Sequence, residues 1–319
     1  MHYIALEVER IINSIRRIVP EERITVAFSG GLDSTVVLFL AKEALGRERV
    51  KAANVDFGLF TYERARQNVR ITSTEMQVKL HSISGKLEQT ILMKGGPDCN
   101  LCTRKIKLGL IRAYTGEQIV FTGSNQSDSW GSYGTAFSDG FYAPLFHYSK
   151  EEIKIMANYL NLKIRYIGEN THREGCKLKH LLKPLANISY HGQAVSQANE
   201  ILLQQIKELN LSTSIANVKI IGPLNRNIAL INIFPIPARH YWKKLTDKIG
   251  SIAYIEDCFL IHKPLELTIK ANKGLFNNLR SRYWIEQGRL QPEFAVPLRF
   301  NWLLTTNHRL KTFQVIAYN

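Results

Sequence analysis

The densest group of chemistry-bearing residues is Ser29-Gly30-Gly31-Leu32-Asp33-Ser34-Thr35, directly after the apolar run Ile24 to Phe28. Two adjacent glycines let a backbone approach a ligand closely. The hydroxyls of Ser29, Ser34 and Thr35, with the open N–H groups of a following helix, can hold phosphate oxygens. Asp33 would repel a bare phosphate, so a divalent cation bridging carboxylate and phosphates is expected, with Mg²⁺ the natural choice. The plainer alternative is a strand-to-helix turn with an Asp or Ser cap. The segment is not a Walker A loop, because the Gly-Lys-Ser/Thr ending is missing. A second group is the pair Cys99-Asn100-Leu101-Cys102, a spacing shared by metal sites and redox pairs. Cys258 sits in an apolar run and reads as core.

These residues need elements to position them. The run Ile24 to Phe28 reads as a strand, Thr35 to Leu45 as a helix closed by Gly46, and Val50 to Phe57 as a second strand. A helix over Tyr62 to Met76, a strand over Lys79 to Ile83, a helix over Leu101 to Tyr114 and a strand over Gln118 to Thr122 continue the alternation. Such alternation predicts an α/β fold, a parallel sheet with helices on both faces. The Gly-, Ser- and Asn-rich segment Gly123 to Phe141 predicts a long loop at a strand's C-terminal end. Ser149 with Glu152 predicts a capping box opening the helix Glu151 to Leu160. A helix over Gln193 to Leu209 precedes a hairpin, Ser214 to Ile221 and Asn227 to Phe234, around Gly222-Pro223-Leu224-Asn225. Beyond Pro235 the pattern predicts a helix near Arg239 to Ile249, strands near Ile252 to His262 and a final strand over Thr312 to Tyr318. The expected segments are 1–190 for nucleotide binding, 191–236 for a helix with a small β-subdomain, and 237–319 for a basic, aromatic extension.

With 45% hydrophobic and 22% charged residues the composition is that of a globular chain, neither disordered nor membrane-embedded. The 42 Lys+Arg against 27 Asp+Glu give a net charge of +15, which attracts polyanions or is simply a solvated surface. The N-terminal stripe Ile4, Val8, Ile11, Ile12, Ile15 is helical and broken by charges, unlike a secretory signal. Four cysteines are too few for a secreted disulfide scaffold of this length. A cytoplasmic enzyme, a homo-oligomer without membrane contact, is the expectation.

The segment Ser-Gly-Gly-Leu-Asp-Ser-Thr resembles the signature of the PP-loop, or N-type, ATP pyrophosphatases. The resemblance implies a flavodoxin-like parallel sheet of the five-stranded type, followed by smaller β-rich C-terminal subdomains. It also implies ATP with its pyrophosphate on the loop, residues Ala27, Phe28, Ser29, Gly30, Gly31, Asp33, Ser34 and Thr35 about it, and Asn54, Val55 and Asp56 bordering the adenine. Gly123-Ser124-Asn125-Gln126-Ser127-Asp128 matches the loop such enzymes use near the α-phosphate, which makes Gly123 and Asn125 ATP contacts and Asp128 a holder of Mg²⁺. Arg23 to Gly31 with Leu45-Gly46-Arg47 is similar to the opening of the sulfur-inserting enzymes of nickel-pincer cofactor synthesis (the LarE family), and the similarity runs weakly to about Ile233. Cys176 falls where that family carries a cysteine, either sacrificed for its sulfur or joined to a Cys-x-x-Cys pair around a cluster; with Cys99 and Cys102 the resemblance implies three thiolates that leave one corner of a [4Fe–4S] cluster unligated. The alternatives are a Zn²⁺ site with a fourth ligand such as His172 or His180, a redox pair, or buried thiols. The chain departs from the family pattern at Lys177-Leu178-Lys179-His180 and Lys183-Pro184-Leu185.

Together these readings imply adenylation of an acceptor, with ATP split to AMP and pyrophosphate, and transfer of sulfur to a small molecule or a tRNA base. Asp33, Asp128 and Cys176 would be the reacting or metal-holding groups, with Cys99, Cys102 and Cys176 as cluster ligands. An amide- or nitrile-forming ligase like the deazaguanine synthases is one alternative. An ATP-switched RNA-binding protein is another, prompted by Arg280, Arg282, Tyr283, Trp284, Arg289, Arg299, Trp302, His308, Arg309 and Lys311, a mixture able to stack on and neutralise RNA.

Overall fold

Ile24–Ala27 (β1) consists of β-branched and small residues, and its Ile24 and Val26 are fully buried. Each such side chain contributes roughly 1.5–3 kcal/mol on leaving water. In the computed structural model, which describes residues 2–116, 118–127, 136–171 and 173–319, this strand lies inside a six-stranded sheet. Val50–Asp56 (β2) and Lys79–Ser84 (β3) extend the sheet on one side. Val120–Phe121 (β4), Phe137–Ser138 (β5) and Phe141–Tyr142 (β6) complete it in the order β3-β2-β1-β4-β6-β5. Five strands run parallel and β5 pairs antiparallel to β6. The five-stranded parallel sheet expected from sequence is therefore present, with one short antiparallel edge strand added from within the expected loop. Because β1 is flanked by β2 on one side and β4 on the other, the connections leave its C-terminal end in opposite directions. That end is the switch point where open α/β sheets bind ligands.

The chain divides into two compact units. The first holds residues 1–56, 63–85 and 103–166, and the second holds 57–62, 86–102 and 167–319. In the first unit the helices His2–Ile18, Leu32–Leu45 and Lys150–Tyr159 share a core with β1 through Ile11, Ile15, Val36, Leu40, Ile153 and Met156. The capping box is complete, with Ser149 Oγ accepting from Glu152 N and the Glu152 carboxylate accepting from Ser149 N at 2.7 Å.

The second unit contains the helices Lys86–Met93 and Gln193–Glu208 and the hairpin Ile215–Ile221 (β7) with Ile228–Phe234 (β8). Asp257–Leu260 (β9) adds parallel to β8. The remaining chain forms Leu265–Asn272 (β10), Leu298–Thr305 (β11) and Phe313–Tyr318 (β12), paired in the order β11-β10-β12. Ile221 and Leu230 of the hairpin belong to the same buried cluster as Leu267, Ile269, Phe313 and Val315. The chain after Pro235 is thus packed into the unit that carries the hairpin. Among the described residues no helix is long and apolar enough to cross a membrane.

Candidate functional site

The glycine-rich loop follows β1 and opens the helix Leu32–Leu45. Gly30 has φ +78°, in the left-handed region, and a Cβ there would meet Val69 Cγ2 at 2.9 Å, so only glycine fits. Ser29 and Ser34 tie the loop together: their hydroxyls are 3.0 Å apart, Ser29 N donates to Ser34 Oγ at 3.2 Å and Ser34 Oγ donates to Gly31 O at 3.1 Å. Gly31 caps the helix with no side-chain acceptor, which leaves the N–H groups of the first turn to a ligand. Asp33, in that turn, pairs through Oδ2 with Lys150. Its Oδ1 and the Thr35 hydroxyl are buried without a hydrogen-bond partner.

The neighbouring strand ends complete this region. Asn54 Nδ2 donates to Phe28 O at 2.7 Å, and Phe28 N donates to Ala53 O at 2.8 Å, so the ends of β1 and β2 are held side by side. Ala27 ends β1 and Val55 is buried on β2. Asp56, at the end of β2, takes a bidentate pair from Arg66, Nε at 2.9 Å and Nη2 at 3.1 Å, which raises the pKa of that guanidinium. After β4, a Cβ on Gly123 would lie 3.0 Å from both Asp33 Cβ and Ser34 N, so a side chain there would collide with the loop. Asn125 is buried; its Oδ1 accepts from Ser127 N at 3.0 Å and its amide donates to Gly123 O at 3.3 Å. Ala27, Phe28, the loop, Asn54, Val55, Gly123 and Asn125 are thus gathered in one unit. Asp128 lies outside the described residues. Lys150, which pairs with Asp33, is a candidate site residue that sequence reasoning missed, although the capping box marks the helix start on which it stands.

The three cysteines lie in the second unit. Asp98 caps the turn Cys99–Leu101, its Oδ1 accepting from Leu101 N at 2.9 Å while its carbonyl accepts from Cys102 N at 3.1 Å. Cys176 precedes the 3₁₀ turn Lys177–His180. Gln89, fully buried on the helix Lys86–Met93, directs one amide nitrogen to Cys176 Sγ at 3.5 Å and to Cys102 Sγ at 3.8 Å. Two sulfurs that share one donor cannot be further apart than those lengths combined. Cys99 Sγ receives Arg289 Nη2 at 3.7 Å. Neither Gln89 nor Arg289 has a spacing in the sequence that announces this role. Cys258 is partly buried in β9, and burial pushes its thiol up to about 12.

Beside Cys176 runs a buried charged network. Lys179 Nζ meets Glu169 Oε1 at 2.7 Å and Glu293 Oε1 at 3.4 Å. Lys219 Nζ meets Glu293 Oε2 at 3.1 Å and donates to His180 Nδ1 at 2.9 Å, while His180 Nε2 faces Glu169 Oε2 at 3.1 Å. Burial, then Lys219 and Lys179, hold the imidazole well below its ordinary pKa, so it is neutral and accepts through Nδ1. Burial works to raise the Glu293 carboxyl, but Lys219 and then Lys179 overcome it and keep it at about 2. Ligand atoms of Glu169, His180 and Glu293 lie within 4.8 Å of one another, and the ammonium of Lys219 already supplies a cation to two of them. His180, considered above as a zinc ligand, accepts from Lys219 through Nδ1, while its Nε2 is buried beside Glu169 without a hydrogen bond, and His172 lies outside the described residues. Of the basic and aromatic C-terminal residues, Tyr283 and Trp284 are exposed, whereas Arg282 stacks on Phe276 and Trp302 at 5.4 and 5.8 Å.

A parallel sheet with its switch point at a Gly-Gly-x-Asp-Ser-Thr loop, and a helix N-terminus open behind it, defines an ATP-using enzyme of the PP-loop class. Residues 7–170, just over half of the sequence, match NAD synthase. The chain belongs to the NAD synthase family of PP-loop ATP pyrophosphatases, whose members use ATP with Mg²⁺. A 42-residue stretch is 55% identical to pyridinium-3,5-bisthiocarboxylic acid mononucleotide synthase of Lactiplantibacillus plantarum; it is 13% of this chain and covers only 15% of that protein. An NH3-dependent NAD synthetase from Campylobacter jejuni, in complex with the nitrate ion, superposes with a TM-score of 0.42 at 23% identity, over 50% of this chain and 74% of its own.

Proposed function

We propose that this enzyme is an ATP-dependent sulfur transferase that adenylates an oxygen of its acceptor and replaces it with sulfur. The observation that carries the reading is that one amide nitrogen of Gln89 reaches both Cys102 and Cys176, with Cys99 three residues before Cys102. The short, 55% identical match to a bisthiocarboxylic acid synthase supports it.

The triphosphate lies on the N–H groups of Leu32–Leu45, where the helix dipole favours anions. Mg²⁺, held by Asp33, would offset phosphate charge. Asp33 Oδ1 and the Thr35 hydroxyl, buried without protein partners, are donors or acceptors that a ligand can complete. Lys150, paired with Asp33 here, would be free to meet a phosphate oxygen if Asp33 held the cation. Asn54, Val55 and Asp56 border the base, Gly123 and Asn125 shape the wall near the α-phosphate, and Asp128 is the second candidate for Mg²⁺. An acceptor oxygen attacks the α-phosphorus and pyrophosphate leaves; sulfur then attacks the activated centre and AMP departs with the oxygen.

The donor set of three cysteine sulfurs fits a [4Fe–4S] cluster. When bound, such a cluster would offer its one iron without a protein thiolate as a carrier for sulfur. Cys176 alone, acting as a sacrificial donor, is the variant of the same reading that needs no cluster. A small molecule is the acceptor class favoured by the family; exposed Tyr283 and Trp284 would suit a tRNA.

Amide formation with ammonia as nucleophile is the second reading, favoured by the NAD synthase match. Iron, zinc and acid-labile sulfide in anaerobically purified protein, compared with Cys176→Ala, separate the two. Iron and sulfide in near-equal amounts that fall in the variant support sulfur transfer. Absence of both, together with ammonia-dependent AMP release, would replace it with the ligase reading.

A further inference from the structure

The segment Glu286 to Glu293 reaches the cysteines from late in the chain. One end is fixed by Trp302 Nε1, which donates to Glu286 Oε1 at 2.6 Å. The other end is fixed by Glu293, whose carboxylate meets Lys219 and Lys179 and whose carbonyl accepts from Asn232 Nδ2 at 2.9 Å. Lys179 N in turn donates to Cys176 O at 3.2 Å, so Glu293 acts on the turn that carries Cys176. Between these anchors Arg289 extends toward the Cys-x-x-Cys turn. Its Nη1 donates to Pro97 O at 2.8 Å, its Nη2 to Cys99 Sγ at 3.7 Å, and its guanidinium lies 5.2 Å from the Phe313 ring centroid. A guanidinium is always charged and presents its donors in a rigid fork, so this contact is a fixed positive charge with an N–H directed at sulfur. Gln89 supplies the corresponding donor to Cys102 and Cys176.

We infer that Glu286 to Glu293 is the positioning element of the three-cysteine centre, and that Arg289 and Gln89 are the N–H···S donors that set its reduction potential. This rests on the reading of the three cysteines as one centre. Hydrogen bonds to ligand sulfurs and nearby positive charge stabilise the reduced, more negative form of a cluster, and residues beyond the ligands commonly tune it in this way.

The test uses the full chain, reconstituted anaerobically with iron and sulfide, as wild type and as Arg289→Met, Arg289→Lys and Gln89→Leu. Iron per chain, far-UV circular dichroism and the midpoint potential from a spectroscopically followed redox titration are measured, none of which depends on turnover. Arg289→Met and Gln89→Leu are expected to keep iron and fold but shift the midpoint to more negative values, with Arg289→Lys returning it toward wild type. Should Arg289→Met fail to fold, Gln89→Leu and Arg289→Lys still decide the matter. Midpoints unmoved in every folded variant overturn the assignment alone. A wild-type chain that takes up no iron overturns the centre itself, and the assignment with it.

Discussion

Glu293→Gln keeps the shape of the side chain and removes its charge from the buried network. Lys179 retains Glu169 at 2.7 Å, but Lys219, only 1% exposed, is left with the neutral His180 and an amide in place of its carboxylate. An ammonium buried without a counter-charge costs about 3–5 kcal/mol when its partner is removed, a large share of the roughly 5–15 kcal/mol that holds a folded protein together. For a unit of this size that corresponds to a drop of roughly 10 °C in Tm. Thermal unfolding followed by near-UV circular dichroism reads it directly. The double variant Glu293→Gln/Lys219→Met is expected to recover most of the loss, because it removes the unpaired ammonium and leaves Lys179 paired with Glu169. A Glu293→Gln protein melting within about 2 °C of wild type, as after loss of an exposed pair, would refute the reasoning.

At the loop, Gly30→Ala is expected to weaken ATP binding by at least about tenfold in calorimetric titration, because the new Cβ meets Val69 where φ is already positive. Gly46→Ala, at φ +81° with nothing within 4 Å, should cost stability without changing ATP affinity. The third expectation concerns pH. His180 is depressed in the folded chain, so its neutral form contributes stability that is present above an ordinary histidine pKa of about 6.5 and is lost as pH falls from there toward the folded value. Urea unfolding at pH 7.5 and 5.5 should therefore show about 1 kcal/mol more acid sensitivity in wild type than in His180→Gln, and equal sensitivity would contradict the buried neutral imidazole. The comparison with the variant is needed because Glu169, raised by burial against Lys179, contributes the opposite slope between an ordinary glutamate pKa and its higher folded value.

Much of the nucleotide-binding half is legible because its signals are local. A β-branched strand, two glycines and a following helix lie within one short stretch, and Ser149 with Glu152 announces a helix start three residues apart. The Cys-x-x-Cys turn is equally local, with Asp98 before it. What the sequence hides is set by contacts across long separations. Lys150 meets Asp33 across 117 residues, and Arg289 reaches Cys99 across 190. Lys177, Lys179 and His180 look like departures from a family pattern, and lysines usually stay in water. Here the first is held by Ser196 and Glu200, and the others by the charged network. The strand pair β10 and β11 runs parallel with a helical stretch between, a pairing that residue composition alone does not single out.

The late position of Arg289 also matters for the order of synthesis. Cys99 emerges 190 residues before the guanidinium that touches it, with Cys102 three residues behind. At about 5–20 residues per second this is an interval of roughly 10–40 s. During that interval the nascent chain carries the paired thiols without Arg289 and without the lysine-bound carboxylate of Glu293. Premature oxidation or capture of a stray metal would compete with assembly in that window, and the competition would sharpen wherever translation stalls between the two.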